Sequence, residues 1–209
     1  MAHLRLGVLA SGRGSNFEAI LTNIKNGKLD ASIHVVISNK ESAGVLEIAR
    51  NNGIPAVHIS KKQFPEQEDF DRHVLSILME YQVNFVVLAG YLKMLSPFIV
   101  KNFKNRILNI HPALLPSFGG KGMYGHHVHQ AVLDYGCKVT GVTIHLVDEA
   151  YDTGTPVLQR CVPVHDDDTA DTLAERVLKI EHQIYTEALQ LFAQERVAIV
   201  GRRAIIKPE

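Results

Sequence analysis

The sequence predicts an α/β fold with a doubly wound, mostly parallel sheet, completed by a C-terminal β-hairpin and a long helix. Strand-like and helix-like segments alternate over about the first 110 residues, a pattern typical of right-handed β–α–β crossovers. The segment NFVVLAG at 84–90 is apolar on both faces, as a central parallel strand should be. Two later strand-like segments are joined only by an acidic loop, which indicates a hairpin rather than another crossover.

Hydrophobic periodicity and capping residues justify each element of the first half. The first helix, SNFEAILTNIKNG, has apolar residues at i, i+3, i+4 and i+7, with Ser15 and Glu18 as a predicted capping box and Gly27 as its stop. Short apolar runs predict the strands, and amphipathic stretches predict the helices that connect them. The predicted strands are 4–10, 32–38, 55–60, 84–90 and 106–110, and the helices after the first are 43–53, 66–82 and 97–104.

The second half breaks this alternation. We predict a helix at 126–135, strands at 138–147 and 156–164, a helix at 169–194 and a terminal hairpin around Gly201. The inner face of the long helix is predicted to comprise Leu173, Val177, Ile180, Ile184 and Leu191. With no repeat or linker in the sequence, we expect one domain over 1–209, with a nucleotide-fold half at 1–110 and an irregular half at 111–209.

Composition excludes several classes of function. The 22 basic and 22 acidic side chains give a formal charge of zero, so we expect no general attraction to nucleic acid. No apolar run approaches the length of a membrane span, and the start of the chain does not resemble a secretory signal. Cys137 and Cys161 are too few for a disulfide framework. These features predict a cytoplasmic protein with no membrane or nucleic-acid partner.

Three unusual segments follow predicted strands and are expected to share one edge of the sheet. They are SGRGSN at 11–16, LAGYLKMLSP at 88–97 and NIHPALLP at 109–116. Ligands of open α/β sheets bind beyond the carboxyl ends of the strands. The glycines of SGRGSN stand at a helix start, where free N–H groups favour an anion such as phosphate. The alternative is a plain turn before a capped helix, since neither a Walker loop nor a dinucleotide fingerprint is present.

Asn109 and His111 are two residues apart at a strand end, so their side chains are expected to point to the same face. The loop 148–156 supplies carboxylates on a turn restricted by Gly154 and Pro156. A carboxylate near an imidazole raises its pKa, and an imidazolium beside an amide suits a tetrahedral acyl intermediate. The alternatives are a polar strand end and a solvated acidic turn.

The histidines at 126, 127 and 129 raise the possibility of a metal site. His126 and His129 are three residues apart, which places them on one face of a helix. There is no HExxH pattern and no acidic neighbour at ligand spacing, so we expect no metal. The acidic run 166–168 precedes the long helix, where capping or solvation accounts for it.

Taken together, LNIHPALLP, VTGVTIHLVDEAYDTGTP and SGRGSN resemble the folate-dependent phosphoribosylglycinamide formyltransferases of purine biosynthesis. The resemblance extends over nearly the whole chain, as far as IEHQIY in the long helix. It implies the formyltransferase fold and the transfer of a formyl group from 10-formyltetrahydrofolate, as co-substrate, to the amine of glycinamide ribonucleotide. It also implies that 1–110 holds the phosphoribosyl group and that 111–209 carries the catalytic loop and the folate side.

The resemblance assigns roles residue by residue. His111 is implied as the proton-transferring acid, Asn109 as the oxyanion donor, and Asp152 as the carboxylate that tunes His111 and relays protons through water. The other implied binding residues are Gly14, Ser15 and Asn16 for phosphate, Glu181 for the glycinamide end, and Leu92, Lys93, Met94, Leu95, Val147, Asp148 and Glu149 for folate.

The sequence departs from the family pattern at two places. Where members often carry an arginine that holds folate, this chain has Gln67 or an acidic neighbour. The alternatives are that Lys61 or Lys62 replaces the arginine or that the contact is absent. The loop SFGGKGMYGHHVH is longer and richer in glycine than usual, and alignment favours His126 over Tyr124 near the substrate. Lys93 stands where arginine is frequent and keeps the charge without the planar fork.

Three alternatives stay open from the sequence. A formyltetrahydrofolate hydrolase and a formyltransferase acting on initiator tRNA share the Asn-x-His and Asp pattern, although both usually carry a further domain. Neutral charge also disfavours the tRNA enzyme. A non-catalytic protein that binds a phosphorylated metabolite would use the same sheet edge without any chemistry. The protein is expected to be a monomer or a homodimer.

Overall fold

The computed structural model describes residues 3–208. A seven-stranded sheet has the order β3-β2-β1-β4-β5-β6-β7, and β8 and β9 form a separate two-stranded sheet. The strands are β1 (Leu4–Ala10), β2 (Ala31–Ser38), β3 (Ala56–His58), β4 (Phe85–Leu88), β5 (Ile107–His111), β6 (Val139–Leu146), β7 (Pro156–Pro163), β8 (Val197–Val200) and β9 (Arg203–Ile206).

The helices cover both faces of this sheet. They are α1 (Ser15–Lys25), α2 (Gly44–Asn51), α3 (Gln67–Glu80), α4 (Pro97–Asn102), α5 (His126–Asp134) and α6 (Ala170–Ala193), with a 3-10 turn at Lys61–Gln63. One apolar core lies under α1, α2 and α6, and a second lies under α3 and α4. Each predicted element is present, with bounds shifted by a few residues at most.

The sheet is parallel from β3 to β5 and antiparallel from β5 to β7. The predicted hairpin is therefore β6 with β7, and the fold class is confirmed. The four residues of β4 are all buried, because helices cover both faces of this strand. The carboxyl ends of β1, β4 and β5 lie side by side, which brings the three unusual segments to one edge.

The start of α1 differs from the prediction. Gly14, rather than Ser15, is the N-cap, in a left-handed conformation with φ 95° and ψ 23°, and no side chain caps the helix. A Cβ at Gly14 would lie 2.9 Å from Cβ of Val45, so the close approach of α2 requires glycine here. Because Ser15 is already the first helical residue, the capping box with Glu18 does not form.

The inner face of α6 is partly as predicted. Leu173, Val177 and Ile184 are buried, whereas Leu191 is only half-buried. Tyr185 and Leu189 are fully buried in its place, since the apolar stripe drifts around a helix of 24 residues.

The hydroxyl of Tyr185 ties α6 to the centre of the sheet. Its oxygen lies 3.0 Å from the carbonyl oxygen of Leu88 on β4 and 2.9 Å from that of Leu108 on β5. The hydroxyl can donate to either carbonyl, and Tyr185 is fully buried. The bond therefore supports the two strands that end at the shared edge.

Tyr185→Phe is expected to lower the free energy of unfolding by about 1–3 kcal/mol, because it leaves buried carbonyl groups without their hydroxyl partner. Chemical denaturation measures the change. Tyr135→Phe is the matched control, since Tyr135 is 81% exposed and its hydroxyl is not enclosed. Equal stability of the Tyr185→Phe and wild-type proteins would show that the bond contributes nothing.

The terminal hairpin predicted around Gly201 is formed by β8 and β9. The guanidinium of Arg202, next to its turn, donates to the carbonyl oxygen of Thr153 at 3.0 Å. The hairpin thus contacts the acidic loop that follows β6. Among the helices of residues 3–208, none has the length and apolar character that crossing a membrane requires.

Candidate active site

A cavity of about 700 Å³ opens at the carboxyl ends of β1, β4 and β5. All three unusual sequence segments contribute to its wall, as the strand order requires. The rest of the lining comes from the loop after β5, the acidic loop after β6 and single residues of α5, β6, α6 and the segment after β2. The lining includes Ser11–Asn16, Leu88–Leu95, Asn109–Pro112, Gly120–Gly125, His129, His145, Val147, Asp148, Ala150–Asp152 and Glu181.

Asn109 and His111 project from the last residues of β5 into this cavity. Their separation of two residues places both side chains on one face of the strand, as predicted. Across the antiparallel pair, Asn109 faces His145 and His111 faces Thr143. The side chain of His111 is only 3% exposed, so the imidazole forms part of the cavity floor.

Both ring nitrogens of His111 have defined neighbours. Nε2 lies 2.8 Å from the carbonyl oxygen of Phe118, so Nε2 carries a proton and donates it to this acceptor. Nδ1 lies 3.6 Å from Oδ2 of Asp152, a separation longer than a direct hydrogen bond. Nδ1 is therefore the nitrogen that can gain or lose a proton beside the carboxylate.

The expected rise in the pKa of His111 does not occur. Burial lowers the pKa of this imidazole and outweighs the opposite effects of the Asp152 carboxylate and the Phe118 carbonyl, so the pKa lies below its ordinary value. The expectation that Asp152 raises the pKa of His111 holds for the effect of the carboxylate alone but not for the net pKa. It considered the charge partner that the sequence offers but not the burial that the fold imposes.

Asp152 is held by the backbone around it. Its Oδ2 accepts from the N–H of Gly120 at 2.9 Å, and its φ of 55° is unusual for a residue with a side chain. A Cβ at Gly154 would lie 1.7 Å from the carbonyl oxygen of Leu146, so only glycine allows the loop to fold back here. Burial raises the pKa of Asp152, but the nearby imidazole of His145, the bond from the N–H of Gly120 and the imidazole of His111 together outweigh it, leaving the pKa below its ordinary value.

His145 is a further member of this cluster that sequence analysis missed. Its Nδ1 donates to the carbonyl oxygen of Leu146 at 2.9 Å, which leaves Nε2 to accept from Nδ2 of Asn109 at 3.1 Å. The same Nε2 lies 3.6 Å from Oδ1 of Asp152. His145 therefore orients the amide of Asn109. The available signal was its position in VTGVTIHLVDEAYDTGTP, the motif that also contains Asp152, but its pairing with Asn109 depends on strand register.

The glycine-rich turn and α6 meet at the other end of the cavity. Gly14, Ser15 and Asn16 line it together with Glu181. Nδ2 of Asn16 donates to Oε2 of Glu181 at 2.7 Å across 165 residues of sequence. Burial raises the pKa of Glu181, and the bond from Asn16 opposes this only in part. A polar pair thus stands beside the helix start that was predicted to bind phosphate.

Comparison with known proteins identifies this arrangement. A family model described as formyl transferase matches residues 4–189. The chain belongs to the formyl transferase family. The resemblance stated from the sequence motifs is thereby confirmed, and the match covers both the glycine-rich turn and the Asn109–His111 strand end.

Two members of the family are similar to this chain over most of its length. A chloroplastic phosphoribosylglycinamide formyltransferase from Vigna unguiculata is 45% identical over 92% of this chain and 62% of its own length. A trifunctional purine biosynthetic protein adenosine-3 from Gallus gallus is 41% identical over 94% of this chain and 19% of its own. The chain thus spans less than two thirds of these two relatives.

A solved structure of similar size also matches. The glycinamide ribonucleotide transformylase 1 from Symbiobacterium toebii superposes with a TM-score of 0.94 at 41% identity, covering 100% of this chain and 96% of that one. This chain therefore shares its sheet order, its hairpin and its long helix with that relative.

Most of the predicted folate residues line this cavity. Leu92–Leu95, Val147 and Asp148 line it. Glu149 does not line it and instead lies 3.8 Å from the ammonium of Lys101. The folate role of these residues stays a prediction, and for Glu149 the position favours a loop contact over a ligand contact.

The two predicted replacements for the family arginine do not line the cavity. Nζ of Lys61 donates to the carbonyl oxygens of Phe64 and Pro65 at 3.4 and 3.3 Å, and Lys62 is absent from the cavity wall. Gln67 donates to Oδ1 of Asp71 at 2.9 Å. The basic residues that do line the cavity are Arg13, Lys40, Lys93 and Lys121.

The histidine-rich segment also differs from the prediction. Tyr124 and His129 line the cavity, whereas His126 is exposed and lies 3.4 Å from Oδ1 of Asp171. The preference for His126 was wrong because α5 begins at this residue and turns its side chain toward α6. Within residues 3–208, no three His, Cys, Asp or Glu side chains are grouped to hold a metal ion.

Proposed function

We propose that this protein transfers a formyl group from 10-formyltetrahydrofolate to the primary amine of glycinamide ribonucleotide. One observation carries the proposal: Asn109, His111 and Asp152 meet in the same cavity as the GRGSN turn. An amide donor and a proton-transferring pair suit acyl transfer to an amine. The anion-binding turn suits an acceptor that carries a phosphate.

Proton balance assigns a task to His111. When the amine attacks the formyl carbon it gives up one proton, and the departing folate nitrogen takes one up. His111 is neutral at rest, because its pKa lies below the ordinary value, so Nδ1 can accept the proton from the amine side. The Asp152 carboxylate, 3.6 Å away, stabilises the imidazolium until the proton passes to the leaving nitrogen, directly or through water.

The amide of Asn109 stabilises the oxygen of the tetrahedral adduct. One of its two N–H groups is donated to Nε2 of His145, which leaves the other for the developing oxyanion. An amide held in this way needs no reorganisation when charge develops, and this is the main advantage of a preorganised site.

Each substrate is assigned to a different end of the cavity. The phosphate is proposed to bind the backbone of Gly14–Asn16, with Glu181 at the adjoining polar part of the ribonucleotide. The folate is proposed to lie against Leu92–Leu95 and the loop 147–149. In these terms residues 1–209 form one formyltransferase domain, in which 1–110 holds the phosphoribosyl group and 111–209 supplies the catalytic loop and the folate side.

Ser15→Glu is expected to raise the KM for glycinamide ribonucleotide by about 10- to 100-fold, because a carboxylate would stand where the phosphate binds and like charges repel strongly at contact. The KM for the folate should change little. Steady-state kinetics with each substrate varied in turn measures both. Ser42→Glu, at an exposed position just before α2, is the control. If Ser15→Glu raised the KM for both substrates equally, the phosphate would have to bind elsewhere.

The proposal is tested by incubating the purified protein with 10-formyltetrahydrofolate, with and without glycinamide ribonucleotide. Formylated ribonucleotide and tetrahydrofolate should appear together in equal amounts, and only when the amine is present. Release of formate without the amine would instead show a hydrolase. Binding of the ribonucleotide with no turnover would show a non-catalytic binding protein.

We also propose that the protein acts on small molecules alone, without nucleic acid, membrane or metal, as a monomer or homodimer in the cytoplasm. The neutral overall charge supports the absence of a nucleic-acid partner. Light scattering of the purified protein and fractionation of cells measure the oligomeric state and the location.

A further inference from the structure

His129 is a buried imidazole in the cavity wall that none of the steps above uses. It lies in the first half of α5 and is only 4% exposed, yet it lines the same cavity as His111 and Glu181. Its Nδ1 is enclosed and has no hydrogen-bond partner among the described residues. Its Nε2 forms no hydrogen bond within residues 3–208 either, and since Nδ1 is enclosed, Nε2 is the nitrogen that can reach a ligand in the cavity.

This imidazole is uncharged at neutral pH. Burial and, to a smaller extent, the nearby imidazoles of His126 and His111 together lower the pKa of His129 to about 4. A neutral imidazole offers one donor and one acceptor. It adds no charge to attract a phosphate, but it can bond to an uncharged hydroxyl or amide group.

Packing alone does not explain a histidine here. A buried polar atom without a partner destabilises the folded state, and an apolar side chain of similar shape would avoid that cost. Local violations of this kind are expected at functional sites. The unused hydrogen-bonding capacity of His129 therefore points to a partner that enters the cavity.

The position of α5 indicates which substrate would supply the hydrogen-bond partner of His129. The helix packs against α6, the helix that carries Glu181, and Glu181 is bonded to Asn16 of the glycine-rich turn. The predicted folate segments lie in the loop after β4 and in the loop after β6. His129 is thus on the wall that joins the proposed phosphate end to the reacting centre.

We propose that His129 is a substrate-binding residue that hydrogen bonds an uncharged hydroxyl or amide group of the phosphoribosyl amine substrate. The assignment rests on the proposed function, because it takes the ribonucleotide to be the molecule at this wall. The assignment predicts that His129 recognises the part of the ribonucleotide between the phosphate and the amine. This recognition is separate from that of the phosphate by Gly14–Asn16.

His129→Leu and His129→Gln test the proposal. In His129→Leu the KM for glycinamide ribonucleotide should rise about tenfold or more, with the KM for 10-formyltetrahydrofolate unchanged and kcat little affected. His129→Gln, which keeps a donor and an acceptor near the position of Nε2, should recover most of the loss. The melting temperature of His129→Leu should equal or exceed that of the wild type. His126→Leu is the matched control on the same helix, outside the cavity wall, and should leave both KM values unchanged.

The outcomes separate this inference from the proposed function. A wild-type protein that does not formylate the ribonucleotide would refute the proposed function before any variant is compared. A wild type that does so, with His129→Leu keeping its KM for the ribonucleotide, would overturn the inference alone. A His129→Leu protein with a lower melting temperature and equally raised KM values for both substrates would show that His129 has a structural role. That result would also overturn the inference.

Discussion

His111→Ala is expected to reduce formyl transfer by at least about 10²–10⁴-fold, the scale on which a positioned proton-transfer group acts. The affinity for both substrates should stay nearly intact, because His111 is not among the residues proposed to bind either of them. Single-turnover kinetics gives the transfer rate, and calorimetric titration gives the two dissociation constants.

His34→Ala is the matched control for this experiment. His34 is also a partly buried strand histidine with two hydrogen bonds, to the carbonyl oxygen of Tyr81 and the hydroxyl of Ser32, but it is remote from the cavity. Its loss should affect stability and not the transfer rate. If His111→Ala kept normal turnover, the proton-transfer mechanism would be refuted even if the protein proved to be a formyl transferase.

Asp152→Asn is expected to slow transfer by about 10²–10⁴-fold and to lower the pKa of His111 below its wild-type value. The sign follows from the charges: the carboxylate favours the imidazolium, so its removal leaves burial as the dominant influence on His111. At a given pH a smaller fraction of His111 would then be protonated. The amide oxygen of the new side chain can still accept from the N–H of Gly120, which keeps the loop in place.

NMR titration of the His111 imidazole measures this change directly. Asp134→Asn is the control, because Asp134 is an exposed carboxylate outside the cavity lining whose Oδ1 accepts from Nε2 of Gln130 at 2.7 Å. It should alter neither the titration nor the rate. An unchanged or raised pKa of His111 in Asp152→Asn would remove Asp152 from its assigned role, whatever happened to the turnover.

Much of this fold follows from local features of the sequence. The alternating strands and helices, the hairpin of β6 and β7 and the burial of β4 were predicted from periodicity and apolar runs alone. Asn109 and His111 were expected on one face because strand geometry requires it. Their approach to Asp152 was expected from the family resemblance, since no local pattern links residues so far apart.

Errors arose where a local rule competed with a non-local contact. Ser15 had the right neighbours for a capping box, but the approach of Val45 to Gly14 moved the helix start by one residue. The carboxylate of Asp152 was rightly expected to raise the pKa of His111, but the extent of burial, which only the packed protein defines, reversed the net effect. Both outcomes depend on atoms contributed by distant parts of the chain.

By itself, the sequence determined the fold class, the residues of the β5 strand end and the glycine-rich turn, because backbone geometry and hydrophobic periodicity act over a few residues. The tertiary structure alone decided that His145 orients Asn109, that Asn16 bonds Glu181, and that His129 rather than His126 lies in the cavity wall. These relations come from strand register and helix packing. Such contacts form only when segments far apart in the chain are brought together around a common core.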